Sequence, residues 1–148
     1  GIQRRGVQIA DLIQSEIERT EDVIVPSGSL DITLYRDDLM AIGPLPVVGA
    51  TVLPKRGVDE KVVVIVDDVL FTGRTVRAAL NELMDFGRPA RVSLCVLVDR
   101  GEREFPIQPN VVGKTVTVPP GQSVEVSVPD LDDGWGVDIV SLASEAGS

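Results

Sequence analysis

The chain has 148 residues, 43% of them hydrophobic and 3% aromatic, with a formal charge of −9 and no histidine. That length and apolar content suffice for one ordinary domain, and a core dominated by Val, Ile and Leu suits a helix-covered sheet better than an aromatic sandwich. The missing histidine excludes His-based triads and His metal sites, the single Cys95 excludes an internal disulfide, and the acidic balance argues against a general nucleic-acid coat while leaving room for a local basic patch.

Residues 1–6 (Gly1-Ile2-Gln3-Arg4-Arg5-Gly6) read as a loop feeding a helix. Over residues 7–19, Ile9, Leu12, Ile13 and Ile17 recur at helical spacing among polar residues, which predicts an amphipathic helix. Residues 23–25 and 29–36 are short strand candidates, while the Gly and Pro density of residues 43–57 predicts an irregular loop of the kind that usually carries function. Residues 61–66 form a β-branched run typical of a strand buried on both faces, expected to stop at Asp67-Asp68. After the turn Thr72-Gly73-Arg74-Thr75, the positions Val76, Ala79, Leu80 and Leu83 mark a helix ending near Gly87. Residues 92–98 are a second buried strand, in which Cys95 reads as a small hydrophobe. Together these make a βαβ unit, predicted to be right-handed with its site at the carboxyl ends of the strands. Beyond Pro106, residues 111–112, 115–118, 123–128 and 137–140 read as short strands between Pro-Gly and Asp-Gly turns. One α/β domain is expected over residues 1–142, with 143–148 a fraying tail. The longest apolar run, residues 62–66, is too short to span a bilayer, and no leader pattern opens the sequence, so a cytoplasmic protein is expected.

The strand end carries the chemistry. Two adjacent carboxylates can accept hydrogen bonds from a diol or support a divalent ion through water, and leaving them unpaired in a core would be costly, so Asp67 and Asp68 should face a cleft. Threonine hydroxyls, a glycine and the first amides of a helix make a phosphate cradle. A sugar phosphate satisfies both halves. The alternative, in which the acids merely end a strand and the threonines merely cap a helix, is weaker because all the parts lie in one contiguous stretch. Neither the Walker A spacing nor the dinucleotide glycine pattern is present.

Residues 64–76 resemble the signature that binds phosphoribosyl pyrophosphate (PRPP) in type I phosphoribosyltransferases. More narrowly, residues 31–39 (Asp-Ile-Thr-Leu-Tyr-Arg-Asp-Asp-Leu), 66–77, Gly87-Arg88-Pro89 and 96–101 (Val-Leu-Val-Asp-Arg-Gly) resemble the PyrR family of pyrimidine-operon attenuators that are also uracil phosphoribosyltransferases. The resemblance implies a Rossmann-like phosphoribosyltransferase fold: a mainly parallel sheet with flanking helices, a flexible hood and C-terminal β-strands. It implies that Asp67 and Asp68 bind the ribose hydroxyls, that Thr72, Gly73, Arg74 and Thr75 hold the 5-phosphate, and that Val69, Leu70 and Phe71 belong to the same nucleotide-binding run. Arg4 and Arg5 would face the pyrophosphate, Arg36 would stand at the base of a hood reaching to about Arg56, and Asp99, Arg100 and Val124 would border the base pocket. Asp68 is the nearest candidate for a base at N1 of uracil. Mg²⁺ would arrive mainly with PRPP or pyrophosphate, with no metal site of the protein's own. Uracil, PRPP, UMP, pyrophosphate and pyrimidine operon mRNA are the implied partners, in a homo-oligomer.

Three departures from the family pattern stand out. The helix and strand that precede the pyrophosphate loop in the family are missing before Gly1, so the sequence is expected to be a truncated piece. Arg4 stands where the family usually has threonine. Glu102 and Gln108 replace a usual histidine and arginine, leaving Arg103 and Lys114 as the candidate RNA contacts, and no basic residue follows Lys114. Two rival readings remain open: a non-catalytic UMP- or PRPP-sensing RNA-binding regulator, and a phosphoribosyltransferase for another base.

Overall fold

The computed structural model describes residues 1–37 and 50–142. Its elements are α1 (Arg5–Glu21), a 3-10 turn (Thr33–Tyr35), β1 (Val62–Leu70), α2 (Arg74–Met84), β2 (Arg91–Asp99), β3 (Val111–Thr115), β4 (Gln122–Ser127) and β5 (Gly136–Ser141). The first three strands form a parallel sheet in the order β1-β2-β3, with Ile65 opposite Leu94, Leu70 opposite Asp99 and Val98 opposite Lys114. On the other side of β1 the sheet continues as short rungs: Ile2 N–H donates to the Val66 carbonyl at 2.9 Å, and Gln3 N–H donates to the Leu30 carbonyl, also at 2.9 Å.

Towards their carboxyl halves β1 and β2 are covered on both faces, whereas Val62 and Val64 at the start of β1 are exposed. On one face α2 sets Val76, Ala79 and Leu83 against Ile65, Leu70, Leu94 and Val96. On the other, α1 places Ile9 against Val66, Val126 and Val128, so the antiparallel β4–β5 hairpin and α1 share that layer. This sandwiched parallel sheet with added C-terminal strands is the expected fold class. It leaves the carboxyl ends of β1 and β2 beside the amino-terminal turns of both helices.

The predicted βαβ core is present, and the differences lie around it. Helix α1 starts two residues early, taking in Arg5 and Gly6, and Leu12 of its apolar stripe is 52% exposed. Residues 23–25 form no strand: α1 ends in a left-handed turn at Asp22, and the following Val23, Ile24 and Val25 run exposed. Residues 29–36 are not a strand either. Ser29 and Leu30 bridge to Val52 and Ile2, and then the Asp31 carboxylate accepts the Thr33 N–H at 2.8 Å, which turns the chain into the 3-10 segment. Strand β1 does not stop at the aspartates but pairs with β2 as far as Leu70. Residues 111–115 form one strand, and 116–118 leave the sheet so that Val118 can pack on Val98. Of the expected loop and hood, residues 38–49 lie outside the described residues, as does the tail 143–148. No helix among the described residues is long and apolar enough to cross a membrane.

Candidate active site at the carboxyl end of the sheet

The site begins with a close approach. A Cβ on Gly6 would lie 2.5 Å from the Val66 carbonyl oxygen and 3.3 Å from the Asp67 Cα, so only glycine lets the first turn of α1 lie against β1. This brings the Arg4-Arg5 pair, which follows a cis Gln3–Arg4 peptide, beside the two aspartates. The result is a cleft of about 570 Å³ lined by Arg4, Arg5, Arg36, Asp67, Asp68, Val69 and Thr75 among the expected residues. A smaller recess of about 160 Å³ shares Arg36 and Thr75 with it and adds Asp37, Arg74 and Ala78.

Asp67 is only 6% exposed. Its Oδ1 accepts the Asp68 N–H at 2.9 Å, and Asp68 Oδ1 accepts the Val69 N–H at 2.8 Å. Burial, and then the neighbouring Asp68 charge, push the Asp67 carboxyl well above its ordinary range. Such an acid is stabilised in its ionised form by incoming hydroxyl donors or a cation.

Arg5 is held by a two-point bridge to Asp132, Nε to Oδ2 at 3.2 Å and Nη2 to Oδ1 at 3.0 Å. Asp132 also accepts the Val128 N–H at 2.9 Å, so the hairpin orients the arginine. Arg5 holds the Asp132 carboxyl below its ordinary range, and the pairing leaves Nη1 of Arg5 for a ligand.

Of the residues expected to hold the 5-phosphate, Arg74 and Thr75 line the recess, whereas Thr72 and Gly73 line neither it nor the cleft. Gly73 has φ +91°, a left-handed conformation that favours glycine, and caps α2. Thr72 Oγ1 accepts the Arg74 N–H at 3.2 Å. The Arg74 side chain turns outward to Glu104 at 2.6 Å and Asp37 at 2.7 Å, and lies over the Phe105 ring at 5.0 Å.

Other expected residues take different places. Leu70 is 2% exposed in the α2 cluster, so its side chain belongs to the core. Phe71 lies under the Arg100 guanidinium, 3.9 Å from ring centroid to charge. Asp99, Arg100 and Val124 are not among the residues lining the cleft. Asp99 Oδ1 accepts the Gly101 N–H and its Oδ2 accepts from Arg103, while Val124 packs with Val98 and Val118 in a cluster that Val69 touches. Of the candidate RNA contacts, Lys114 is exposed on β3, whereas Arg103 is folded inward with its side chain 13% exposed. The sequence reading missed Gln3, Asp31 and Thr33, which also line the cleft. The signal for Asp31 and Thr33 was the Asp-x-Thr spacing of an Asx turn, hidden inside an apparent strand, whereas no local signal marked Gln3.

The model of the phosphoribosyl transferase domain matches residues 1–132. The Bifunctional protein PyrR of Herpetosiphon aurantiacus is 54% identical over 132 residues, covering 89% of this chain and 73% of that protein. The Bifunctional protein PyrR of Roseiflexus sp. is 51% identical over 148 residues, covering 99% and 80%. Among solved structures, a hypoxanthine phosphoribosyltransferase from Staphylococcus aureus superposes with a TM-score of 0.58 at 18% identity, over 99% of this chain and 76% of that one, a likeness of fold. The chain belongs to the phosphoribosyl transferase domain family and, within it, to the bifunctional PyrR proteins.

Proposed function

We propose that the chain transfers the phosphoribosyl group of PRPP to uracil, giving UMP and pyrophosphate, and that it acts in the cytoplasm. The observation that carries this reading is the convergence of Arg4, Arg5 and Arg36 with Asp67, Asp68 and Thr75 on one cleft next to the Thr72–Thr75 cradle. In this reading the cradle holds the 5-phosphate, Asp67 and Asp68 accept hydrogen bonds from the ribose hydroxyls, and Arg4 and Arg5 face the pyrophosphate. As N1 of uracil bonds to C1 of the ribose, the C1–oxygen bond breaks and pyrophosphate carries away the electron pair. The guanidiniums then stabilise charge that grows only along the reaction. The N1 proton must leave, and Asp68 is the nearest carboxylate by motif position.

Among the described residues no group of three or more acid, thiol or imidazole side chains is placed to hold a metal. Asp67 and Asp68 supply only two carboxylates, so Mg²⁺ would be held jointly with oxygens of PRPP, where it neutralises the leaving group.

The second half of the proposal is control of a pyrimidine operon through mRNA, for which exposed Lys114 on the edge strand β3 is the candidate contact. A homo-oligomer rests on family resemblance alone. Turnover of uracil and PRPP with Mg²⁺, with Asp67→Asn as control, tests the enzyme reading; PRPP binding without turnover of any base would sink it in favour of a sensing regulator. Titration of a pyrimidine leader RNA at two salt concentrations tests the regulatory half, since electrostatic contacts weaken as salt rises.

A further inference from the structure

Ser29 and Val52 exchange both backbone hydrogen bonds, at 2.7 and 2.9 Å, so an antiparallel pair starts between the segment that follows α1 and the one that leads to β1. In such a ladder the next bonded pair stands two residues on, which would set Asp31 against Ala50. That pair does not form. The Asp31 N–H donates instead to Thr51 Oγ1 at 2.9 Å, and the Ala50 carbonyl accepts from Gln3 Nε2 at 3.0 Å. Side chains thus stop the ladder after one rung. The chain then turns at Asp31, whose Oδ1 takes the Thr33 N–H at 2.8 Å, and Asp31, Ile32 and Thr33 become a wall of the cleft.

A threonine hydroxyl is both donor and acceptor, and it presents a fixed lone pair to Asp31 only when its own proton is committed elsewhere. Here the Thr51 hydroxyl donates to Glu82 Oε1 at 2.7 Å. Glu82 sits on the buried side of α2 at 6% exposure and, with Asp67, is one of two buried acids among the described residues. Among those residues its Oε2 is buried without a hydrogen-bond partner. An acid in that position costs stability, and what it does there is hold the Thr51 hydroxyl. Other ties from α2 act further along the chain: Arg77 Nη2 donates to the Tyr35 carbonyl at 2.8 Å, Asp85 accepts the Tyr35 hydroxyl, and Arg74 bridges to Asp37. Those three grip residues 35–37, whereas Thr51 holds the Asp31 N–H. The wall also stands against the Gln3-Arg4 stretch, since Gln3 N–H donates to the Leu30 carbonyl at 2.9 Å and Gln3 Nε2 to Ser29 Oγ at 3.2 Å.

We infer that Glu82 is a positioning residue for the pyrophosphate end of PRPP: acting through Thr51, it fixes where the Asp31–Thr33 wall stands beside Arg4, without touching the substrate. This rests on the reading of the Arg4 and Arg5 side of the cleft as the pyrophosphate end.

The test measures binding of PRPP, magnesium pyrophosphate and UMP to the full chain by calorimetry, together with hydrogen exchange over residues 29–33. Thr51→Val keeps the side-chain shape and removes both bonds. The Kd for PRPP and for pyrophosphate should then rise about fivefold, the worth of one such bond, while UMP, which has no pyrophosphate, stays within about twofold. Glu82→Ala should give the same pattern, whereas Glu82→Gln and Thr51→Ser, which keep the acceptor and the hydroxyl, should stay within about twofold of wild type. Because the two residues act in series, the double variant Thr51→Val with Glu82→Ala should bind no worse than Thr51→Val alone. Exchange should quicken over 29–33 and not in α1. If Glu82→Ala does not stay folded, Thr51→Val and Thr51→Ser decide. A Thr51→Val protein with PRPP affinity within twofold of wild type overturns the inference, as does an equal weakening of UMP or a pair of losses that add in the double variant. Wild-type protein that binds UMP but neither PRPP nor pyrophosphate removes the pyrophosphate-end reading and this inference with it; wild-type protein that binds all three without turnover removes only the transfer reading and leaves the binding comparison to decide.

Discussion

Replacing Gly6 by alanine tests whether the site depends on α1 lying directly against β1. The added Cβ would sit 2.5 Å from the Val66 oxygen, where ordinary contact begins at 3.4 Å, and that oxygen is backbone and already accepts the Ile2 N–H at 2.9 Å. No side chain can swing aside, so helix and strand must part by about 0.9 Å. Overpacking of this kind costs about 1–3 kcal/mol, against a gain of about 0.5–1 kcal/mol from placing Ala for Gly in a helix, for a net loss of about 1–2 kcal/mol. In a chain of this size that lowers the melting temperature by about 3–8 °C. The same displacement moves Arg4 and Arg5 away from Asp67, so PRPP should bind about tenfold more weakly, a misplacement of nearly 1 Å being enough for such a loss. Gly136→Ala is the control, since its Cβ would meet only side-chain atoms at 3.9 Å, and it should change stability by less than about 0.5 kcal/mol. Thermal melts and PRPP calorimetry on both variants decide the matter. A Gly6→Ala protein that melts at or above wild type and keeps its PRPP affinity would refute the close-approach argument.

Asp67→Asn should abolish turnover while raising stability near neutral pH. Burial holds the Asp67 carboxyl well above 3.8, so the wild type loses stability as pH rises from there through the folded value, whereas the amide does not titrate. Denaturant melts should show the variant's advantage shrinking to nothing as pH falls towards 3.8; an advantage that is independent of pH would contradict the burial argument. Asp132→Asn should behave in the opposite sense. Arg5 depresses the Asp132 pKa, so the stabilisation is complete above 3.8 and is lost as pH falls through the lower folded value. The variant should therefore be less stable than wild type at neutral pH, with the gap closing in acid, and should bind PRPP more weakly because Arg5 loses its orientation. Unchanged PRPP affinity would separate the hairpin from the site.

What was legible in the sequence follows from which interactions are local. Strand β1 opens on a β-branched run and β2 is a short, largely apolar run, and α2 repeats its apolar residues at helical spacing before Gly87, so pattern sufficed. The carboxylate pair and the turn at Thr72–Thr75 were readable because strand, acids, turn and helix are consecutive. Leu70 was placed at the site by motif position, yet its side chain faces the α2 cluster, since neighbouring strand residues point to opposite faces. Asp31 and Thr33 were read as strand residues because their alternation is apolar-polar, while the deciding hydrogen bond runs from backbone to side chain two residues back. Arg103 read as a candidate RNA contact, and nothing local reveals that three carbonyls and Asp99 converge on it. Arg5 likewise reads as a lone loop charge until the fold brings Asp132 to it.

That last bridge joins residues 127 positions apart. During synthesis at about 5–20 residues per second, the βαβ unit is complete once Asp99 has emerged, and the anchor that aims Arg5 follows only after roughly 2–7 s of further elongation. The nascent chain therefore has the Thr72–Thr75 turn assembled before Arg5 is oriented, and ribosome-bound intermediates stalled before Asp132 should retain the first without the second.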